Sequence, residues 1–566
     1  MKKFLWLICL CYSLQGAAFE EEVSVADEAF PRNPTPLQEK EPTLLIDHLN
    51  GMVLSGDQVV EPAAELEKVR GVEFIHLSVP GRSDKLKRKL QNYIGSKVTT
   101  ETLFEIRRTI SDYYTSSGHP FVIVEVPQQE VTSGVLQVMV LESRLGKVKI
   151  EGNRWNSAER LKEYVKLQPN QEIDQNRLLQ NVSFMNRNPF RRVDVVYAPG
   201  EQEGTTDVIL AIKDRRSYRI YAGAENTGVE PTGRGRWYTG LNWGNVFGLG
   251  HIFSYQFTSA LNVHRFYAHT AEYIAFLNWG HVLDVYGGYS KVHPKVHRPF
   301  KRNDGWSMQA SGRYTIPLPV SRYLEHEVSF GGDFKRTNNT FEFSDDLSTF
   351  GKNVNLTQLV LMYSGNYERN TFKVDFNGNL YWSPGKWLSD QTNADYDSLR
   401  PGAKNYWVYF RGAFVYLQRL PKAFSLSLSA QGQVSSEPLL PSEQFGLGGY
   451  DTVRGYDQRE VNKDDAICLS GEVRSPAIPI IRKIKTTWKL VDALQFLVFL
   501  DYGWGIDIDT LPGGKKSNYL LGTGPEIRYT LEPYLTFRLD WGIKLHKEAS
   551  YGGGNTMIHF NITASY

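Results

Sequence analysis

Apolar and polar residues alternate with period two along the C-terminal part of this chain. In Phe424–Gln433, Phe424, Leu426, Leu428 and Ala430 alternate with Ser425, Ser427, Ser429 and Gln431. In Phe372–Leu380, Phe372, Val374, Phe376 and Leu380 alternate with Lys373, Asp375, Asn377 and Asn379. In Leu535–Lys544, Leu535, Phe537, Leu539, Trp541 and Ile543 alternate with Thr536, Arg538, Asp540 and Lys544. Such alternation marks strands with one apolar face. Sustained from about Ser217 to Tyr566, with aromatics near strand ends, it predicts a transmembrane β-barrel with a watery lumen. At about 20–24 residues per strand and connection, the tract holds roughly 14–18 strands. Its last strand sets Ile558, Phe560, Ile562, Ala564 and Tyr566 against His559, Asn561, Thr563 and Ser565. A terminal aromatic strand of this kind is what barrel-assembly machinery reads, although a soluble sandwich can also end on Tyr.

Upstream the pattern changes. Val72–Val79 reads as a strand and Ser83–Tyr93 as a basic helix. A second helix, capped by Thr99 or Thr100, carries Leu103, Ile106, Ile110 and Tyr113/Tyr114 on its apolar face and ends at Gly118. Phe121–Val126 and Val135–Leu141 follow as strands. The β-α-α-β-β order then repeats: strand Lys147–Glu151, helices Ser157–Val165 and Asp174–Met185, strands Val193–Ala198 and Asp207–Ile212. Each copy has an open sheet edge, which fits either a binder of extended chains or a rigid spacer. Residues 71–143 and 144–214 are thus two small α+β domains, and 215–566 is the barrel.

Met1–Ala18 reads as a signal peptide, with Lys2 and Lys3, the apolar Phe4–Leu14 and small residues Gly16-Ala17-Ala18. Beyond it no apolar run approaches the roughly 20 residues of a membrane helix. Residues 19–70 read as an N-terminal plug or linker: an acidic Phe19–Ala29, then Pro31, Pro34, Pro36 and Pro42. Leu44–Gly71 has no firm assignment, with Val53, Leu54, Val59 and Val60 as a possible strand pair. Removal of the signal leaves one thiol, Cys468, so no internal disulfide is expected. A net charge of +2 gives no argument for nucleic acid. The 12 His show no paired metal-ligand spacing, so no metal or cofactor is expected. Gly513-Gly514-Lys515-Lys516-Ser517 lacks phosphate-loop spacing, and no nucleophile comes with a base motif, so no enzyme is expected.

One segment of the barrel tract breaks the strand pattern: Phe445-Gly446-Leu447-Gly448-Gly449-Tyr450-Asp451-Thr452-Val453-Arg454-Gly455-Tyr456. Its glycines allow a tight loop with a single Arg at the tip, and the polar flanks, about 435–466, let it fold back into the lumen. Further on, Phe499, Asp501 and Gly503 share a strand face, which is luminal if Leu500 and Tyr502 meet lipid. An Arg on the loop and a carboxylate on the wall can form a forked pair. A solvated Arg on a Gly-rich loop fits the residues equally well.

Val453-Arg454-Gly455-Tyr456 followed by Phe499-x-Asp501-x-Gly503 resembles the paired signature of two-partner secretion transporters, the TpsB type, known as the ShlB/FhaC/HecB haemolysin secretion/activation proteins. Their superfamily also holds the barrel-assembly protein BamA. Tyr113 to Gly118, Pro127-Gln128-Gln129, Gly134 and Glu142 resemble the first POTRA domain of that family. Asn188-Pro189, Pro199-Gly200 and Gly204-Thr205-Thr206-Asp207 resemble the second. Glu225-Asn226-Thr227-Gly228, Thr232-Gly233 and Gly248-Leu249-Gly250 resemble its first barrel hairpin.

The resemblance implies a 16-stranded barrel, two periplasmic POTRA domains, a plug helix, and a loop lock between Arg454 and Asp501. The family's plug is longer and richer in Gln and Arg than Phe19–Ala29. The implied function is export of an unfolded partner exoprotein through the outer membrane of a Gram-negative-type bacterium. The implied partners are that exoprotein, outer-membrane lipid and the barrel-assembly machinery, with no nucleic acid. The rivals are a BamA/TamA-like assembly factor and a passive porin.

Overall fold

The computed structural model describes residues 43–566 apart from 58–61, 63–65, 67, 203, 295–304, 322, 339–352, 482–490, 511–513 and 548–553. The expected signal peptide and the Phe19–Ala29 plug lie outside the described residues. The chain divides into two compact units between Arg215 and Arg216.

The N-terminal unit holds two α+β domains. The first contains β1 (Leu44–Ile46), β2 (Gly51–Ser55), β3 (Gly71–Ile75), α1 (Ser83–Gln91), β4 (Val98–Thr99), α2 (Thr100–Ser116), β5 (Val122–Glu125) and β6 (Val135–Glu142). Its main sheet runs β3-β2-β6-β5, with β2 parallel to both neighbours. This corrects the sequence reading, which began the domain at 71 and left 44–70 to a plug or linker. The strand paired with the closing β6 is Gly51–Ser55, and Gly71–Ile75 is an added edge strand. All five residues of β2 are buried. A short strand covered on both faces shows no alternation and hides among apolar runs. In α2 the Thr99 side chain accepts from the Thr102 N–H, satisfying a free donor of the first turn. Its inner face sets Ile106, Ile110 and Tyr114 into a core with Met52, Leu54, Leu86 and Val138.

The second domain contains β7 (Arg144–Glu151), α3 (Ala158–Tyr164), α4 (Gln175–Asn186), β8 (Arg191–Pro199) and β9 (Thr205–Asp214). The sheet order is β7-β9-β8, with β7 and β9 parallel. Ser157 and Asp174 cap the two helices. Among the described residues, β3 and β5 of the first domain and β7 and β8 of the second end their sheets.

The C-terminal unit is a closed barrel of sixteen antiparallel strands, as the family resemblance implied. Strand 1 is Tyr218–Glu225 and strand 16 is Thr556–Ser565. Burial is inverted relative to a soluble protein. In strand 13 (Val491–Ile506), Phe496, Val498 and Leu500 are exposed while Leu497, Phe499 and Asp501 are buried. In strand 16, Ile558 and Ile562 point out while His559, Asn561 and Thr563 point in. An outward apolar face around a polar interior is the pattern that lipid requires.

The neighbours elsewhere pair over long stretches, sixteen residues between strand 13 and strand 14 (Ser517–Glu532). The closing seam pairs five strand residues, Tyr221–Glu225 with Ser565–Asn561, and Ile220 and Tyr566 exchange two further backbone bonds at 3.0 and 2.8 Å. Asn226 extends it: its side-chain amide donates to the Ile558 carbonyl at 2.6 Å and accepts from the Phe560 N–H at 2.9 Å.

Candidate functional site

Strand 11 (Ser425–Ser435) and strand 12 (Asp465–Arg474) are joined by residues 436–464, which fold against the inner wall of the barrel. Phe445–Leu447 pairs antiparallel with Val461–Lys463 to make a small hairpin. Residues 438–450 are buried throughout, although Ser442, Glu443 and Gln444 lie among them. Several charges of the loop pair with groups outside it, while buried Arg459 donates to the Pro441 and Gln444 carbonyls of the loop itself. Glu443 accepts from Lys335 of strand 7 (Leu324–Thr337) at 2.8 Å and from Tyr409 of strand 10 (Tyr406–Arg419) at 2.9 Å. Asp464 pairs with Arg400, and Lys463 with Asp507. Glu460 pairs with Lys544 of strand 15 (Leu535–Lys544), and Asp457 with Arg234. The loop is thus tied to many sides of the barrel wall.

At its tip the turn 448–455 uses left-handed backbone at Gly448, Gly449 and Gly455, with φ of 98°, 97° and 99°. This presents Arg454 to the wall. Its Nε and Nη2 donate to the two oxygens of Asp501, each at 2.7 Å, and its backbone N–H adds a third bond at 3.0 Å. The structure therefore brings together the two residues that sequence alone left open. Both are buried, Arg454 3% and Asp501 0% exposed. The guanidinium lies over the Phe499 ring, 3.6 Å from its centroid.

The other motif positions meet as well. Val453 packs toward Gly503, where a Cβ would come within 2.8 Å of Val453 Cγ2. The Tyr456 hydroxyl donates to the Leu521 carbonyl and accepts from the Leu521 N–H, at 3.0 and 3.1 Å. Gly455 has no side chain because Gly542 of strand 15 lies against it. A Cβ at Gly522 would fall 2.1 Å from the Arg454 carbonyl oxygen. Glycines on both surfaces make the close approach possible.

The sequence missed most of the charge partners. Arg454 Nη1 also donates to Glu472 at 2.8 Å and to Glu526 at 2.7 Å, and Nη2 to Ser470 at 3.1 Å. Arg474 and Arg528 flank Glu472, while Arg538 bridges Glu526 and Asp540. Four arginines (454, 474, 528, 538) thus face four carboxylates (472, 501, 526, 540) on strands 12 to 15. The balance keeps any one charge from being buried alone. A usable signal existed. In an up-and-down barrel the strands flanking Asp501 follow from sequence order, and Ser470, Glu472 and Glu526 share inward parity.

A closed barrel preceded by two small α+β domains, with a charged loop folded onto its inner wall, defines an outer-membrane polypeptide transporter. The chain belongs to the family of haemolysin secretion/activation proteins ShlB/FhaC/HecB, whose model matches residues 204–528; the ShlB-type POTRA model matches residues 37–143. The heme/hemopexin transporter protein HuxB of Haemophilus influenzae strain 86-028NP is 21% identical over 447 residues, 75% of this chain and 73% of the relative. The outer membrane transporter CdiB of Dickeya dadantii strain 3937 is 25% identical over 479 residues, 80% of this chain and 81% of the relative. The structure of CdiB from Escherichia coli shares the fold, with a TM-score of 0.76 and 17% identity over 95% of this chain and 94% of that one. Members of this family are transporters. This chain is an outer-membrane two-partner secretion pore, with its POTRA domains in the periplasm, that exports a partner exoprotein to the cell surface.

Proposed function

We propose that the inward loop 436–464 is the gate of this pore and that Arg454 is the residue that holds it shut. The supporting observation is the burial of a loop rich in charge, with Glu443 and Arg454 paired to barrel strands and Asp464 to Arg400. The POTRA pair takes the unfolded exoprotein as an extended segment, added to an open sheet edge by backbone hydrogen bonds. Release of the loop then lets the segment pass through the lumen, and folding outside gives direction, since no nucleotide is available in the periplasm. Outer-membrane lipid holds the exposed apolar band, and barrel-assembly machinery inserts the chain.

The test is export of the partner exoprotein from cells carrying Arg454→Ala, with barrel assembly checked by heat-modifiable migration. Loss of export with an intact barrel supports the gate. Wild-type export removes Arg454 from the mechanism. The seam of five pairs is the observation on which an assembly-factor reading would rest, and a cross-link across it separates the two.

A further inference from the structure

The sequence offered no metal site, yet the fold assembles a set of donors where the two POTRA domains meet. Tyr114, on the last turns of α2, is fully buried, and its hydroxyl has no hydrogen-bond partner among the described residues. Its backbone carbonyl accepts from the His119 N–H at 2.9 Å. Gly118, with φ of 90°, turns the chain off the helix and places His119 beside β6. There His119 Nδ1 lies 3.0 Å from a carboxylate oxygen of Glu142. Glu172 approaches from the second domain, between α3 and α4, on a segment bridged to Arg144. Donor atoms of His119, Glu142 and Glu172 all lie within 4.8 Å of one another.

The electrostatics describe a site short of positive charge. Burial, and then the Glu172 charge, push the Glu142 carboxyl above its ordinary value, with His119 acting the other way. Burial raises the Tyr114 hydroxyl too, and the charges of Glu142 and Glu172 add to that rise.

We propose that His119, Glu142 and Glu172 bind a divalent first-row metal ion, zinc being the best fit, with solvent completing the coordination. One imidazole with carboxylates suits zinc, whereas calcium and magnesium take oxygen ligands. Ligands about 2.0–2.2 Å from a tetrahedral ion sit about 3.3–3.6 Å from one another. The present spacing reaches that with small side-chain adjustments. Two ligands belong to the first domain and one to the second, so the ion would fix the angle between them. It adds to contacts already there: the Gln175 N–H donates to the Gly118 carbonyl at 2.9 Å, and the Phe121 and Tyr197 rings lie 4.3 Å apart. A divalent cross-link at this hinge would stiffen the surface offered to the exoprotein.

The test uses the full chain in detergent, purified without a histidine tag and stripped with chelator. Titration with Co2+ should give one saturating equivalent with visible absorption bands of low-coordinate cobalt, displaced by Zn2+. Glu172→Gln, at an exposed position, should weaken binding at least about tenfold without unfolding the domain, and His119→Ala should do the same. His264→Ala should change nothing. Zn2+ should also slow hydrogen exchange at 114–121 and 170–176 in the parent and not in Glu172→Gln. No saturable binding, or binding that survives both Glu172→Gln and His119→Ala, overturns the proposal. Either result leaves a His119–Glu142 ion pair only.

Discussion

Gly542 lies so close to Gly455 that a Cβ at 542 would fall 2.2 Å from the Gly455 amide nitrogen. Both partners are backbone or backbone-adjacent, so neither can swing away. At Gly503 the neighbours of an added Cβ are the methyl ends of Val453 and Leu447, at 2.8 and 3.0 Å, which can shift. Gly542→Ala should therefore lift the loop tip, at a cost of about 1–3 kcal/mol, while Gly503→Ala should be milder. Trypsin cleavage at Arg454 and Arg459 in intact barrels checks this. Equal protection in the two variants would mean that the tip is not held by this contact.

Arg454 faces Asp501, Glu472 and Glu526 together, so the network is asymmetric. Arg454→Ala leaves three carboxylates without their shared cation, and loss of a buried partner costs roughly 3–5 kcal/mol. Asp501→Asn leaves the arginine with two carboxylates and should free the loop less. Arg454→Lys keeps the charge and loses the fork, and should fall between. The coupling between Arg454 and Asp501, read from protease protection in a double-mutant cycle, should be about 0.5–3 kcal/mol. Strict additivity would show that the two do not act together.

These contacts also show how far sequence could go. Alternation in Ile558–Tyr566 and Phe499–Gly503 fixed which residues face inward, because a strand has only two faces. The VRGY loop and the FxDxG strand were therefore visible as candidates. The residues alone left their pairing open and the family resemblance implied it, since 47 residues separate Arg454 from Asp501 and nothing local sets loop depth. Glu443 lies in the polar flank of the loop, yet Lys335, 108 residues away, pairs with it in the interior. Gly51–Ser55 was obscured by the opposite cause, burial on both faces with no period to read. His119, Glu142 and Glu172 come together only when two domains meet.

Gly51–Ser55 belongs to the POTRA core rather than to a linker, and this has a measurable consequence. Leu54 is fully buried among Leu86, Ile110 and Val138. Leu54→Ala should destabilise the first domain by about 2–5 kcal/mol. Hydrogen exchange at β6, which pairs with β2, should speed up by the corresponding factor. A linker residue would show no effect, and unchanged exchange would return 44–55 to that role.

Ala222 and Ala564 stand directly opposite one another across the closing seam. That seam has five strand pairs, extended by the Ile220–Tyr566 backbone bonds and the Asn226 side chain, and is the shortest ladder of the barrel. A lumen route leaves it shut during export, whereas insertion of other barrels by strand exchange would need it open. The double substitution Ala222→Cys/Ala564→Cys places two thiols on paired positions whose Cβ atoms sit about 4.5–5.5 Å apart, near the span of a disulfide. The native Cys468 is buried, 3% exposed, and should not compete. Oxidised protein should export its exoprotein at the reduced protein's rate. Asn226→Leu, which removes both seam bonds, should lower the temperature at which the folded band is lost in heat-modifiable migration, again with export preserved. If oxidation stops export and reductant restores it, the exoprotein does not simply pass up a closed lumen, and the seam rather than the Arg454 loop is the moving part.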